Sequence, residues 1–546
     1  MQALLKFKRL YHTVKPLRFE QIAYRILYKF RPLRQIQQQA TNANFAKWIW
    51  SSPEFVEPSF IDDSTVRFLN LSGEVVRAED WNNPEFEKLW LYNLHYFDDL
   101  NALDSASRQA IQVSFVDKWI ADNPPVAGNG WEPYPLSLRI VNWIKWYNRA
   151  GINKPQIILS LHQQAQALSK QLEYHILGNH LFANGKALVF AGCFLQGDLA
   201  DSYLDIGLKI LEREIPEQFL ADGGHFELSP MYHCILLWDL LELIQLAGVT
   251  QHIRLVAVES YWRQVALKAL NWLAVMKHAD GDVSFFNDSA IGIAASPEQI
   301  FNYAATLGLT PSIGHLPLLQ TLVESGYSKI NMPAHSLIFD HAQVGPDYLP
   351  GHAHADTLSF EWSFGSQRVF VNSGTSIYGV SAERLRQRKT AAHNTIEVDG
   401  FDSSEVWSGF RVARRAKAVL ESAEINSEQV ILSASHDGYR RLKGKVTHRR
   451  TIAMAAKQWI VSDQLTGDFK QAVAHFHLYP DIQANVLSDG SIQLQLANGQ
   501  LIEFRSTGLC QLVNTSWHPH FGQSVATLKI AVTLTSPELQ TTVTLL

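Results

Sequence analysis

The chain has 546 residues, too many for one ordinary hydrophobic core, so two or more domains are expected. Its 46% hydrophobic and 18% charged residues are globular values that exclude a membrane-embedded bundle. A net charge of -5 is small for this length and points to no nucleic-acid partner. The 15 tryptophans and 17 tyrosines either fill large helical cores or line a cleft where sugar C–H faces stack on rings. Cys193, Cys234 and Cys510 are odd in number and widely spaced, which reads as buried small side chains rather than a disulfide framework.

In chain order, residues 1–85 form a basic segment and a preface. Lys6, Lys8, Arg9, Lys15, Arg18, Arg25, Lys29, Arg31 and Arg34 face Glu20 alone up to residue 39. No apolar run follows them, so no secretory signal is read, and no run approaches the length of a membrane span. Leu17, Ile22, Ile26 and Phe30 make a helical stripe. Such a helix either packs on the body with a solvated basic face or touches a membrane surface or an acidic polymer. A cytoplasmic or inner-membrane-associated location is expected, with the periplasm as the alternative.

Residues 86–330 carry helical spacing, clearest at 157–176, 181–194, 203–214, 231–247 and 261–276. Successive helices with polar connections predict antiparallel hairpins, arranged as an (α/α) toroid with a central cleft. Near Asn331-Met332-Pro333 the period falls to two. Strands are expected at 336–342, 358–364, 368–372, 395–398, 416–425, 429–435, 447–455, 458–463, 473–478, 492–496, 500–504, 527–534 and 541–546. The fold class is therefore α+β and multidomain: an incomplete (α/α) toroid, then an antiparallel β-sandwich over residues 331–546.

Four polar clusters stand out. In Gly178-Asn179-His180-Leu181-Phe182-Ala183-Asn184, His180 and Asn184 share one helix face. In Gly223-Gly224-His225-Phe226-Glu227-Leu228-Ser229-Pro230-Met231-Tyr232-His233, Ser229 and Pro230 read as N-cap and first helical residue, placing Tyr232 in the first turn. The third is Gly351-His352-Ala353-His354-Ala355-Asp356, mounted on the strand that follows. The fourth is His393-Asn394-Thr395 behind the basic run Arg384, Arg386, Arg388 and Lys389. Each also has a bland reading as a cap, a bridge or a packed histidine. There is no GxSxG, GxGxxG, P-loop or HExxH, and Asp222 and Glu227 are the only acid pair near the glycine turn. An inventory of Tyr, His and Asn suits β-elimination at a uronic acid. An amide or histidine neutralises the carboxylate, a base takes the C5 proton, and a tyrosine protonates the leaving O4.

These motifs, with Leu91-Tyr92-Asn93-Leu94-His95-Tyr96-Phe97 and Trp131-Glu132-Pro133-Tyr134-Pro135-Leu136-Ser137-Leu138-Arg139-Ile140-Val141-Asn142-Trp143, resemble the heparinase II/III-like polysaccharide lyases over residues 90 to 415. The resemblance implies a carbon–oxygen lyase acting on an acidic polysaccharide, in exopolysaccharide or capsule metabolism. It implies that Asn179 neutralises the uronate, assisted by His180 or His352, and that Tyr232 is the acid and also a candidate base. Tyr134, Arg139, Asn142, His225, Glu227 and Tyr378 are expected to bind substrate, although Tyr134, Arg139 and Asn142 equally suit helix packing. The resemblance further implies a structural Zn2+ held by His354, Asn372 and His393, with Asn372 standing where the family carries an aspartate. A uronyl epimerase or hydrolase on the same fold, or a non-catalytic glycan-binding or polymer-assembly factor, are the alternatives.

Overall fold

The computed structural model describes residues 2–30, 33, 35–36, 42–43, 48–312, 316–426 and 429–546. Arg31 and Arg34 of the basic stretch lie outside these. Helices Lys88–Tyr96, Gln109–Asp122, Pro133–Ala150, Pro155–Ser169, Gly178–Phe194, Asp198–Gln218, Pro230–Thr250, Ile253–Met276 and Pro297–Thr306 follow one another and share one hydrophobic core. Gly178–Phe194 lies at its centre, packed on Pro133–Ala150 and Asp198–Gln218. The close crossing with Asp198–Gln218 needs glycine, because a Cβ on Gly207 would stand 2.7 Å from the Gly185 carbonyl oxygen. Pro230–Thr250 has the length and composition of a membrane span at 21 residues, against the sequence expectation, but it is largely buried as the apolar core of the helical layer.

The helix expected over 157–176 stops at Ser169. Residues 170–177 wind instead into a polar turn that ends on Leu177, at φ 71° and ψ -159°. A leucine in that region is strained by about 1–3 kcal/mol. The strain sits one residue before the helix that carries Asn179 and His180.

The C-terminal part is an antiparallel sandwich. One sheet of eight strands runs Ala418–Ile425, Val430–His436, Thr447–Met454, Gln458–Thr466, Glu538–Leu545, Leu501–Ser506, Ile492–Gln495, Gln483–Val486 in spatial order. Facing it are a five-stranded meander, Leu319–Leu322 to Gln367–Phe370, and a four-stranded sheet, Leu509–Trp517, Val525–Thr533, Ala472–His477, Ile396–Val398. A bridge between Phe370 and Leu478 joins these two. Phe360, Trp362, Phe370, Trp459, Phe476 and Phe504 fill the space between the layers.

Two strands, Leu319–Leu322 and Tyr327–Asn331, precede the change of period at Asn331. Four of the five residues in the second are buried, so both faces are covered and no alternation marks it. The strand expected from 358 begins at Phe360, because Leu358 takes φ 63° and breaks the extended run. Two long connections between neighbouring strands of the meander and beyond, residues 341–359 and 371–395, carry His352, His354, Tyr378 and His393 toward the helical layer.

Helices Gln2–Val14 and Phe19–Phe30 open the chain. The second docks by its polar side: buried Gln21 donates to the Ile176 and Tyr348 carbonyls, Tyr28 donates to the Leu172 carbonyl, and Glu20 pairs with Arg213. Its apolar residues face outward, with Ile26 54% and Phe30 77% exposed.

Candidate active site

The Leu177–Gly178 turn sets the first part of the site. A Cβ on Gly178, at φ 60°, would run into the Leu349 side chain, so only glycine lets the turn close. Asn179 and His180 then stand in the first turn of Gly178–Phe194. Asn184, at i+4 from His180, does not face the cleft. Both side chains converge on buried Glu173: His180 Nδ1 lies 2.8 Å from Oε1, and Asn184 Nδ2 donates to Oε2 at 2.9 Å. Burial alone would lower the His180 pKa, but the Glu173 carboxylate outweighs it and raises the value. Tyr134 covers this pair, its ring 4.3 Å from that of His180 and its hydroxyl bonded to the Asn179 amide.

The second part joins the two domains. Ser229 caps helix Pro230–Thr250, its Oγ accepting from Tyr232 N–H at 3.2 Å, which places Tyr232 in the first turn as the sequence indicates. The Tyr232 ring stacks on His352 at 3.9 Å, and its hydroxyl meets that of Tyr378 at 3.0 Å. Burial, and then Tyr378, push the Tyr232 pKa well above that of a free phenol. Burial, and then Asp288, do the same for Tyr378. Both therefore stay protonated, and the helix end does not make Tyr232 a phenolate. His352 Nδ1 sits 2.6 Å from Glu227 Oε2. A carboxylate there only accepts, so Nδ1 carries a hydrogen toward Glu227, and the lone pair of the neutral ring lies on Nε2. Glu227 Oε1 lies 3.5 Å from where a Gly178 Cβ would be, so the two parts adjoin.

A cavity of about 1020 Å³ opens beside these groups, lined by Tyr134, Asn142, Trp238, Tyr232, Tyr378 and Phe521 among others. Several residues expected at its wall are elsewhere. Arg139 is fully buried, stacked on Trp119 and donating to Gln164 and to the His95 and Gly130 carbonyls, so it ties helices together. His225 is also fully buried, with Nε2 3.2 Å from Gln218 Oε1. Glu227 is 1% exposed and orients His352 rather than meeting substrate. Asn142 reaches the wall, but its amide is committed to the Tyr96 carbonyl and to Asp98.

The second histidine of the 351–356 motif turns the other way. His354 Nε2 donates to Asp288 Oδ1 at 2.8 Å, and its Nδ1 faces His393 Nε2 at 3.3 Å. Asp288 also takes a two-pronged contact from Arg384, with Nη2 to Oδ2 at 2.6 Å. Burial would raise the Asp288 carboxyl, yet Arg384 and His354 hold it far below the usual range. Asn287, beside it, accepts from His354 N–H and donates to the Leu228 carbonyl. Asn372 lies against the same loop: its Oδ1 accepts from Asn394 N–H at 3.2 Å and its Nδ2 donates weakly to Ser359. Among the described residues no group of three His, Cys, Asp or Glu is placed to hold a metal. Two imidazoles and an amide already engaged with backbone do not fit a structural zinc, which wants charged or imidazole donors in all four positions.

Glu173, Asn287, Asp288 and Arg384 carry this site, and the motifs did not single out the first three. Asn287-Asp288-Ser289 interrupts an apolar stretch and was the available signal.

The family description Heparinase II/III N-terminus matches residues 113–309, and Heparinase II/III-like, C-terminal matches residues 315–545. A heparin-sulfate lyase of Bacteroides stercoris is 22% identical over 357 residues, which is 61% of this chain and 51% of that protein. One from Bacteroides thetaiotaomicron is 23% identical over 398 residues, 64% of this chain and 54% of that protein. The chain thus spans about half the length of these curated relatives. A solved heparinase III superposes with a TM-score of 0.68 at 17% identity, over 96% of this chain and 89% of the other. Heparan sulfate lyase from Pedobacter heparinus gives 0.60 at 16% identity, over 96% and 87%. These likenesses show the fold, a toroid followed by a β-sandwich.

The Glu173–His180 contact generates a titration test. A histidine raised by its partner stabilises the fold fully below about pH 6.5 and loses that contribution as pH rises through its folded value. In an NMR titration, His180 is expected to have its midpoint above about 6.5. Glu173→Gln leaves burial opposed only by the smaller pull of Glu227 and should lower the midpoint; an unmoved midpoint contradicts the assignment.

Proposed function

The chain belongs to the heparinase II/III-like family, and on that premise we propose that it is a polysaccharide lyase cleaving a uronic-acid-containing glycan by β-elimination. The observation that carries this reading is His352, held by Glu227 with Nε2 free and stacked on a protonated Tyr232. One atom set thus offers a base and an acid side by side.

The steps follow from these roles. The Asn179 amide and the protonated His180 take the uronate carboxylate, so that charge building on it as C5 loses its proton is stabilised. His352 Nε2 accepts the C5 proton. The electron pair forms the C4–C5 double bond as the C4–O4 bond breaks, and the Tyr232 hydroxyl gives its proton to O4. His352 then releases the C5 proton to water, and a proton from water returns to the Tyr232 phenolate, relayed through the Tyr378 hydroxyl 3.0 Å away. The raised Tyr232 pKa supports the acid role, since a phenol kept protonated is a donor and a poor base.

For the sandwich we propose that the chain Arg384–Asp288–His354–His393 does the joining that a metal would do. For the N-terminal helices we propose contact with an anionic membrane surface. Phe7, Leu10, Phe19, Ile26 and Phe30 are exposed there, among Lys6, Lys8, Arg9, Lys15 and Lys29. Apolar side chains and cations on one outward face suit a bilayer of acidic lipids.

Four outcomes are expected. Incubation with uronans should raise the ultraviolet absorbance of an unsaturated uronate. Tyr232→Phe should lower kcat by about 10²–10⁴-fold with circular dichroism unchanged; wild-type turnover removes Tyr232 from the acid role. Chelation should leave the melting temperature in place, whereas Asp288→Asn should cost about 3–5 kcal/mol by stranding Arg384; metal bound in stoichiometric amount and a chelator-induced loss of stability refute this. Sedimentation with vesicles should require acidic lipid and fall when Phe19, Ile26 and Phe30 become serine; equal binding by that variant contradicts the membrane contact.

A further inference from the structure

The cavity wall reads as a charge filter. Among the described residues it carries four cations, Arg67, Lys145, Arg149 and Lys186. It carries six acids, Glu54, Glu57, Asp98, Asp239, Glu242 and Asp282. The acids outnumber the bases in the space that must receive the polymer.

Most of the cations are also spoken for. Lys145 lies 2.5 Å from Glu242, and Lys186 lies 2.5 Å from Asp239 and contacts Glu242 as well. All four of these side chains are nearly or fully withdrawn from solvent. Arg149 sits 3.7 Å from Glu54 and donates to the Leu100 carbonyl and Ser105. Arg67 is the cation of the wall without an ion pair among the described residues. On the acid side, Glu57, Asp98 and Asp282 have no cation at ion-pairing distance among the described residues, and Asp98 is bonded to the Asn142 amide instead. Burial pushes the Asp98, Asp239 and Asp282 carboxyls up. Three of the wall's four cations nonetheless stay engaged by Glu54, Asp239 and Glu242.

A sulfate group is a permanent anion. Moving it from water against such a wall costs free energy that only unengaged Arg or Lys side chains could return. The wall offers aromatic rings instead, Trp50, Phe55, Tyr96, Tyr134, Trp238 and Phe521, which suit the C–H faces of uncharged sugars. The polar groups that meet one carboxylate, Asn179 and His180, lie at the Tyr134 end.

We infer that the cleft selects an unsulfated glycan, with one uronate seated at Asn179 and His180 and uncharged sugars on the aromatic wall. The inference rests on the lyase reading for the position of the uronate, and it narrows the substrate class within that reading. It sets this chain apart from what the names of its relatives say they act on.

The test compares matched pairs of oligosaccharides with the full chain: heparan sulfate and chondroitin sulfate fragments, each beside its chemically desulfated, N-acetylated counterpart. Binding is read by titration calorimetry and cleavage by ultraviolet absorbance. The expected result is binding at least about tenfold tighter for the unsulfated member of at least one pair, with little dependence on salt, because few ion pairs form. Glu57→Lys adds a cation at an exposed position of the wall and should narrow the ratio at least threefold, by about 0.7 kcal/mol. Sulfated fragments binding as tightly as unsulfated ones overturn the inference, as does binding of neither member of any pair. Unsulfated fragments that bind selectively but are not cleaved uphold the charge filter and remove the lyase reading instead.

Discussion

The site depends on a short buried segment, Asn287–Asp288, that fastens the helical layer to the sandwich. Asp288 N–H donates to the His352 carbonyl at 3.0 Å, and Asn287 N–H donates to Asp356 at 3.1 Å. Asn287 also donates to the Leu228 carbonyl, and the Asp288 carbonyl accepts from Ser229 at 2.5 Å. The segment thus touches the cap of the helix carrying Tyr232 and the loop carrying His352 and His354. With all of these groups out of water, each hydrogen bond is costly to break, because the stranded partner stays buried. That fixes Tyr232 against His352 to within the tolerance that proton transfer requires.

From this fastening the two histidines of residues 351–356 acquire different work. Residues two apart in a regular strand would share a face, but residues 351–356 are turn and coil, and the bent backbone lets the two side chains diverge. His352 meets Glu227 and Tyr232 at the cleft, while His354 meets Asp288 and His393 inside the sandwich. The difference is electrostatic as well as spatial. Burial lowers the pKa of His354 and of His393, so both are neutral donors and acceptors in a packed chain of hydrogen bonds. His180, across the cleft, is raised by Glu173 and is the histidine suited to hold a carboxylate. In the proposed mechanism these three histidine environments, each beside one carboxylate, divide binding, proton abstraction and structural support.

Local code was legible in the sequence wherever a few neighbouring residues decide the outcome. Ser229 and Pro230 cap and start their helix as short-range chemistry requires. Strands of the eight-stranded sheet that alternate buried and open positions, as Thr447–Met454 does, are readable for that reason, whereas Gln483–Val486 at its edge lacks the pattern and was not expected. Tyr327–Asn331 was not, since burial on both sides erases the alternation. Tertiary pairing was the harder part. Arg139 sits in a polar-aromatic motif that looks like a sugar site, but its guanidinium meets the His95 and Gly130 carbonyls of its own domain. Asn184 shares a face with His180, yet the shared partner is Glu173, eleven residues earlier in a turn that the helical pattern had absorbed. Asn372 stands where the resemblance implies an aspartate, and its amide meets Asn394 N–H and Ser359, partners that no local pattern announces.

The central claim is that a glycosidic bond breaks here by elimination, with no water entering the product. Cleavage carried out in ¹⁸O-labelled water, followed by mass spectrometry of the fragments, tests this directly. The account predicts that the fragment carrying the new non-reducing end is lighter than its hydrolysis counterpart by one water, and that cleavage itself places no heavy oxygen at either new end. Incorporation of the label at the cleaved bond, with both fragments at the mass of hydrolysis products, would contradict it.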